Sequence, residues 1–248
     1  MLNLEGKTAV VTGGSLGIGA AIALQLAEYG ADVALNFRKH SEEAAAIAAQ
    51  IHEMGRRTMV VQADVSSFND AQKMVDRVKD EWGRVDILVC NAGINRDGVI
   101  WKMTEDQWDM VINTNLKGYF NYLRAVAPMM REQGYGRIVC LTSINGLRGK
   151  FGQANYAASK GGIVALVKTV AKELGKSGVT VNAVAPGLIL TDMMAAMPEE
   201  AKQASLNETV LRRLGTPEDV ANVVAFFCSD LAQHVTGEVI KVDGGQYI

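Results

Sequence analysis

Short apolar runs alternate with longer amphipathic runs along almost the whole chain. Seven runs rich in valine, isoleucine, leucine and alanine have the length of β-strands, and several of them are apolar at nearly every position. They cover residues 7–12, 31–37, 58–65, 85–93, 136–143, 179–187 and 238–245. A strand that is apolar on both sides must be covered on both sides, so these runs predict a buried parallel sheet.

The segments between these runs carry apolar residues at helical spacing. Residues 18–30, 41–55 and 70–83 each end on glycine, which is typical of a helix C-terminus. The alternation predicts an α/β fold of the Rossmann type, a doubly wound, seven-stranded parallel sheet with helices on both faces. Since no Pro-rich or Ser-rich linker interrupts the pattern, residues 1–248 predict a single domain. The least regular stretch, residues 188–215, predicts a substrate loop or lid.

Composition and charge exclude several function classes. The 25 basic residues are balanced by 27 acidic ones, so no nucleic-acid partner is expected. No apolar run approaches the roughly 18 residues that span a bilayer, and the N-terminus lacks a signal-peptide pattern, so no membrane association is expected. The three cysteines and three histidines are scattered, which predicts neither a disulfide framework nor a metal site. We therefore expect a cytoplasmic protein.

A glycine-rich loop follows the first predicted strand and opens the first predicted helix. It reads Thr-Gly-Gly-Ser-Leu-Gly-Ile-Gly over residues 12–19. Glycines permit a sharp turn and a close approach of the backbone to a pyrophosphate, and the helix N-terminus offers free N–H groups to the anion. Tight structural turns also use glycine, but the strand-before and helix-after context favours a phosphate site.

Tyr156 and Lys160 lie one helical turn apart in a long helical stretch. A neighbouring ammonium favours the phenolate form, which would bring a phenol closer to acid–base work near neutral pH. Ser143 ends the fifth predicted strand, at the sheet edge where open α/β sheets bind ligands. Its hydroxyl could hold a carbonyl oxygen beside the phenol. A Tyr–Lys pair standing alone is usually a solvated helix face.

The motifs occur in one chain in a specific order. They are the loop over residues 12–19, Asp64-Val65, Asn91-Ala92-Gly93, Asn115, Ser143, Tyr156-x-x-x-Lys160 and Pro186-Gly187. Along essentially its whole length, the sequence resembles the short-chain dehydrogenase/reductase family, and within it the bacterial 3-oxoacyl-(acyl-carrier-protein) reductases. The resemblance implies an NAD(P)-dependent oxidoreductase that interconverts a ketone and a secondary alcohol, most similar to enzymes that reduce 3-oxoacyl thioesters.

The resemblance also implies a role for each catalytic residue. Tyr156 would be the general acid in reduction and the base in oxidation, Lys160 would lower the pKa of Tyr156 and hold the nicotinamide ribose, and Ser143 would orient the carbonyl. Asn115 would anchor a water that links Lys160 to solvent. The alternative for Asn115 is a polar side chain satisfied inside a helix.

The residues that the resemblance assigns to the cofactor come from several loops. They are Gly13, Ser15, Leu16, Gly17, Ile18, Gly19, Asn36, Arg38, Asp64, Val65, Asn91, Ala92, Gly93, Tyr156, Lys160, Pro186, Gly187 and Thr191. Asp64 would meet the adenine, with a helix-capping acid as the alternative reading.

The end of the second strand bears on the choice between NAD and NADP. An acid there would bind the ribose 2′-hydroxyl and repel a 2′-phosphate, but the chain has Asn36, followed by Arg38 and Lys39. Because a guanidinium suits a phosphate, this favours NADP(H), with NAD(H) as the alternative. Leu16 weighs against NADP, since similar NADP-dependent reductases often carry arginine in the glycine loop.

The substrate is the least determined part of the prediction. Tentative pocket residues are Asn145, Phe151, Leu188 and Met193. The first alternative to a 3-oxoacyl thioester is a small or aromatic ketone or secondary alcohol, and the second is a non-catalytic nucleotide-binding protein. An acyl carrier protein is an expected partner of the first reading, and the resemblance implies a homotetramer.

Overall fold

The computed structural model describes residues 2–191 and 199–248. The strands are β1 (Thr8–Val11), β2 (Asp32–Phe37), β3 (Thr58–Gln62), β4 (Ile87–Cys90), β5 (Gly136–Leu141), β6 (Val179–Pro186) and β7 (Val239–Val242). They form one seven-stranded sheet in the order β3-β2-β1-β4-β5-β6-β7, and all neighbouring pairs are parallel. The predicted doubly wound parallel sheet is confirmed.

Helices connect the strands. They are α1 (Gly17–Glu28), α2 (Ser41–Glu53), α3 (Phe68–Trp82), α4 (Glu105–Val111), α5 (Gly118–Gln133), α6 (Ile144–Arg148), α7 (Ala154–Leu174), α8 (Glu199–Glu208) and α9 (Pro217–Cys228). One turn of π-helix, Ile112–Lys117, joins α4 to α5. Among the helices of the described ranges, none combines the length and the apolar character that a bilayer crossing requires.

Two hydrophobic cores lie on opposite faces of the sheet. Helices α3, α5 and α7 contribute to one core, and helices α1, α2 and α9 to the other. In β4, Leu88 and Cys90 point into the first core, while Ile87 and Val89 point into the second. Because successive strand residues face opposite sides, both sides of the strand must be apolar, and this explains the continuous runs in the sequence.

The strand order reverses at β1, whose two neighbours are β2 and β4. In open α/β sheets, ligands bind outside the carboxyl ends of the strands at this switch point. The glycine loop follows β1 and the Asn91–Gly93 segment follows β4, so both predicted cofactor segments lie at that edge. All seven strands are shorter than the predicted runs. In particular, β5 ends at Leu141, so Ser143 lies beyond its strand.

Candidate active site

The glycine loop has the backbone conformation that its sequence predicts. Gly13 and Gly17 have φ angles of +64° and +52°, in the left-handed region that favours glycine. A Cβ atom at Gly19 would overlap with the Gly13 carbonyl oxygen and lie 2.5 Å from Asn91 Nδ2. Leu16 is the N-cap residue of α1, and its side chain makes no capping hydrogen bond. The loop and the N-terminus of α1 therefore form a narrow cradle of the kind that binds phosphate groups.

Polar side chains fasten this loop to both neighbouring strands. Asn36 Oδ1, on β2, accepts the Gly13 N–H at 2.6 Å. Asn91 Nδ2, after β4, donates to the carbonyl oxygens of Thr12 and Gly13 at 3.0 and 3.1 Å. In return, Thr12 Oγ1 accepts the N–H groups of Asn91 and Ala92 at 2.9 and 3.1 Å. The loop is therefore fixed from both sides before any ligand binds.

Asn36 links the glycine loop to Ala63 through the two ends of its side-chain amide. Its side chain is buried, and its Nδ2 donates to the Ala63 carbonyl oxygen at 2.9 Å. An aspartate at this position would set a carboxylate oxygen against that carbonyl, which the amide avoids by donating. Both ends of the amide therefore have protein partners. A contact between Asn36 and the cofactor stays a prediction.

Arg38 and Asp64 lie side by side just beyond β2 and β3. The Arg38 guanidinium is 3.5 Å from the Asp64 carboxylate, and both side chains are partly exposed. Burial raises the pKa of Asp64, but the Ser66 hydrogen bonds and the Arg38 charge outweigh it and hold that pKa below its usual value. The capping alternative for Asp64 is wrong, because α3 is capped by Ser67, which accepts the Asp70 N–H.

Asn115 lies in the π-helical turn and is fully buried. Its Oδ1 accepts the Ile94 N–H at 2.8 Å, and its Nδ2 donates to the Ile94 carbonyl and to Ser159 Oγ. Its amide therefore joins the segment after β4 to helix α7. Single turns of π-helix within α-helices often mark functional sites, and here the widened turn carries a predicted catalytic residue.

Ser143 and Tyr156 face each other across the predicted site. Ser143 Oγ accepts the Asn145 N–H at 3.1 Å as the N-cap of α6. Burial raises the pKa of Tyr156, a hydrogen bond with the Ser143 hydroxyl opposes that rise, and the Asp97 charge adds to it. This raised pKa differs in direction from the one that pairing with Lys160 predicts.

Burial of the Tyr156 ring is the largest cause of this difference, and the hydrogen bonds of Lys160 within the described chain go to other groups. Lys160 Nζ donates to the Leu141 carbonyl oxygen at 2.6 Å and to the Tyr119 hydroxyl at 3.3 Å. It lies 5.8 Å from the centre of the Tyr156 ring. Burial lowers the pKa of Lys160 to about 8, against the opposing influence of Cys140 and Cys90.

The other predicted cofactor residues border the same edge of the sheet. A Cβ atom at Gly93 would lie 3.6 Å from Lys160 Nζ, and one at Gly17 would lie 3.3 Å from Thr191 Cγ2. The structure thus brings the ends of β1, β4 and β6 together. The remaining members pack around this edge or into the adjoining cores: Ser15, Ile18, Val65, Ala92, Pro186 and Gly187.

A row of polar contacts runs through Asn145, one of the predicted substrate residues. Asn145 Nδ2 donates to Gln153 Oε1 at 3.1 Å, and Gln153 Nε2 donates to Asp97 Oδ2 at 2.9 Å. Phe151 is 82% exposed, so the described chain does not bury it against the site. The backbone N–H of Leu188 donates to the side chain of Gln246. Met193 lies outside the described residues.

Arg148 links the active-site side of α6 to the predicted lid and to the C-terminal segment. Its guanidinium donates to Glu208 Oε2 at 3.0 Å and to the Gln246 carbonyl oxygen at 3.4 Å. Gln246 Nε2 also donates to Glu208 at 2.9 Å. The hydrogen bond from Gln246 and the Arg148 charge outweigh burial and hold the pKa of Glu208 below its usual value. The lid function of residues 188–215 stays a prediction.

Comparison with known proteins identifies the family of this chain. The profile of a family described as enoyl-(acyl carrier protein) reductase matches residues 13–246. With this match, the fold and the ordered motifs, the chain belongs to the short-chain dehydrogenase/reductase family. It is an oxidoreductase acting on CH–OH groups, and its family implies a nicotinamide cofactor.

Similar proteins extend over nearly the whole chain. The 3-oxoacyl-(acyl-carrier-protein) reductase FabG of Staphylococcus epidermidis is 46% identical over 98% of this chain and 99% of its own length. The nodulation protein G of Azospirillum brasilense is 44% identical over 96% of this chain and 97% of its own length. A crystal structure assigned as a short-chain alcohol dehydrogenase from Sinorhizobium meliloti superposes with a TM-score of 0.95 at 36% identity, covering 99% and 98% of the two chains.

Several residues that shape the site were not predicted from the sequence. Thr12 fixes the glycine loop, Gln153 bridges Asn145 to Asp97, and Tyr119 contacts Lys160. Asn155 Nδ2 ties the start of α7 to the carbonyl oxygens of Arg96 and Gln107. Only Tyr119 carried a local signal, since it lies four residues after Asn115 in the same helical run.

Proposed function

We propose that the protein reduces the keto group of a 3-oxoacyl thioester carried by an acyl carrier protein, with NADPH as the reductant. The observation that carries this proposal is the 46% identity to a 3-oxoacyl-(acyl-carrier-protein) reductase over 98% of the chain. The juxtaposition of Ser143, Tyr156 and Lys160 at the carboxyl edge of the sheet supports it.

The residues of the chain would divide the work of reduction among them. The Tyr156 hydroxyl donates its proton to the carbonyl oxygen, and the Ser143 hydroxyl holds that oxygen in place. Lys160, a buried ammonium, stabilises the phenolate that remains and shares the return of a proton from solvent. Asn115 acts as a positioning residue, because its amide sets the separation between the segment after β4 and α7.

The cradle at the switch point fits a dinucleotide. A side chain at Gly19 would clash with the Gly13 carbonyl and Asn91, so the loop is tightly packed. A pyrophosphate bound at this loop would meet the N-terminus of α1. A reduced nicotinamide supplies the hydride for the keto carbon when it is bound. Lys160 would hold its ribose from below, where Gly93 leaves room for the ammonium.

The preference for NADPH rests on Arg38. No acid follows β2 where it would oppose a 2′-phosphate, and the nearest carboxylate, Asp64, already neutralises part of the Arg38 charge. A partly exposed ion pair contributes at most about 1 kcal/mol, so Arg38 can turn to a phosphate at small cost.

The cytoplasmic location inferred from the sequence stays a prediction.

A panel of carbonyl substrates tests the thioester proposal. We expect kcat/KM with an acetoacetyl thioester to exceed that with simple and aromatic ketones by at least about tenfold, since one well-placed polar contact contributes on that scale. The thioester is offered on acyl carrier protein and on coenzyme A to separate recognition of the carrier from recognition of the acyl chain. A preference for a plain ketone over both thioesters would contradict the proposal.

The polar groups around Asn145 favour one second candidate function. Amide and guanidinium groups lie here, from Asn145, Gln153 and Arg148, and a wholly apolar acyl chain would find few partners among them. A compact polar or aromatic ketone, or the corresponding secondary alcohol, would suit these groups better. The same panel decides between the two candidates.

We also propose a homotetramer, for which exposed apolar surface is the support. Helix α7 leaves Ala158 and Ala165 exposed on one side, and the rings of Phe68 and Phe120 lie 6.4 Å apart at the surface. Such surface is usual at subunit contacts. Light scattering at micromolar concentration should give four times the chain mass of 26.6 kDa. A monomer mass would refute the assembly.

A further inference from the structure

Three polar groups close a buried triangle beneath the predicted catalytic lysine. Lys160 Nζ donates to the Leu141 carbonyl oxygen at 2.6 Å and to the Tyr119 hydroxyl at 3.3 Å, and the Tyr119 hydroxyl donates to the same carbonyl at 3.0 Å. Tyr119 is 1% exposed and Lys160 is 4% exposed. Water therefore has little access to either group, and the triangle must be satisfied from within the protein.

The direction of each hydrogen bond follows from the chemistry of the donors. An ammonium donates only, so the Tyr119 oxygen must accept from Lys160 and use its own proton on Leu141. Burial raises the pKa of Tyr119 well above its usual value, and Cys90, Cys140 and Tyr156 act in the same direction. Tyr119 consequently keeps its proton. In the reaction proposed above, Tyr156 and Lys160 are the residues that release and regain protons.

The other groups near Lys160 are two thiols and an aromatic ring. Cys90 on β4 and Cys140 on β5 are register partners, and both are buried free thiols. Burial raises the pKa of Cys90, so it stays neutral. Tyr156 lies above on α7 with its ring 5.8 Å from Nζ. Within the described chain, the Tyr119 hydroxyl and the Leu141 carbonyl are the two acceptors that Lys160 uses.

We infer that Tyr119 is a positioning residue that stabilises the charged form of Lys160 and fixes the position of its ammonium group. This inference rests on the proposed catalytic role of Lys160 and assigns part of the control of its protonation to a residue outside the predicted tetrad. An ammonium has three N–H donors. The triangle uses two of them, which leaves one for the ligand that Lys160 would hold beside Gly93.

The pH profile of carbonyl reduction tests the inference in the Tyr119→Phe variant. Removing an acceptor disfavours the ammonium, and burial has already lowered the pKa of Lys160 to about 8. The alkaline fall in kcat/KM should therefore begin at a lower pH, by roughly half a unit to one unit. A role in packing alone would lower thermal stability and leave the profile where it is.

Tyr122→Phe is the matched control. Tyr122 is buried on the same helix, and its hydroxyl contacts Met74 Sδ at 3.2 Å instead of Lys160. It should lose stability without any shift in the profile. A second variant, with 3-fluorotyrosine at position 119, keeps the hydroxyl and the fold but is a poorer acceptor, and it should shift the profile in the same direction by a smaller step.

Lys160→Ala separates this inference from the proposed function. If Lys160→Ala keeps wild-type turnover, the role of Lys160 is wrong and the inference falls with it. If Lys160→Ala is inactive while both Tyr119 variants keep the wild-type profile, only the assignment of Tyr119 is overturned.

Discussion

Replacing Tyr156 by phenylalanine should lower the turnover of carbonyl reduction by about 10²-fold or more, because a positioned acid contributes on that scale. The aromatic ring is kept, so its packing is kept and only the transferable proton is lost. Cofactor affinity, measured by the fluorescence of the reduced nicotinamide, should change little. Loss of turnover with retained binding would locate the defect in the chemical step.

Tyr29→Phe serves as the control for that substitution. Tyr29 is a half-buried tyrosine at the C-terminus of α1 and packs into the second core. This variant should keep wild-type turnover, which shows that removing a phenolic hydroxyl is not itself damaging. Near-normal turnover in Tyr156→Phe would end the mechanism proposed for this site.

Replacing Arg38 by alanine should weaken NADPH by roughly ten- to a hundredfold, which is the contribution of a hydrogen bond to a charged group. NADH lacks the 2′-phosphate, so its kcat/KM should change much less. The ratio of kcat/KM for the two cofactors is the measurement, taken at one ionic strength because salt screens such contacts.

Arg57→Ala is matched to this variant in charge and in ion pairing. Arg57 is 57% exposed and pairs with Asp32 at 2.8 Å, near the start of β2 and away from the carboxyl edge of the sheet. The Arg57→Ala variant removes the same unit of charge and should leave the ratio of kcat/KM for NADPH and NADH unchanged. A wild-type protein that prefers NADH and is indifferent to Arg38→Ala would refute the NADP proposal, and Leu16 would then explain why the phosphate site is incomplete.

The fold could be predicted because its signal is repeated along the chain. Each strand must be apolar on both sides to sit between two helical layers, so β4 and β6 appear in the sequence as continuous apolar runs. The glycine loop was equally clear, since the turn and the close approach leave few residue choices. These features depend on local sequence and on the period of the elements.

The details of the site depend on contacts between residues far apart in the chain. The fastening of Gly13 by Asn36 joins positions 23 residues apart, and the contact of Lys160 with Tyr119 joins positions 41 residues apart. No spacing rule brings such pairs together, so neither contact was predicted from the sequence. The raised pKa of Tyr156 was not predicted for the same reason, because the burial that raises it depends on segments that are distant in the chain.

The fastened glycine loop has a consequence for the thermodynamics of binding. Glycine loses more conformational freedom on ordering than any other residue. If the loop were flexible, this loss of entropy would lower the affinity of every ligand that orders it. Here Thr12, Asn36 and Asn91 impose the order during folding. The ligand thus binds a preorganised loop. The entropic cost of ordering the loop lowers the stability of the folded protein instead of the affinity for the dinucleotide.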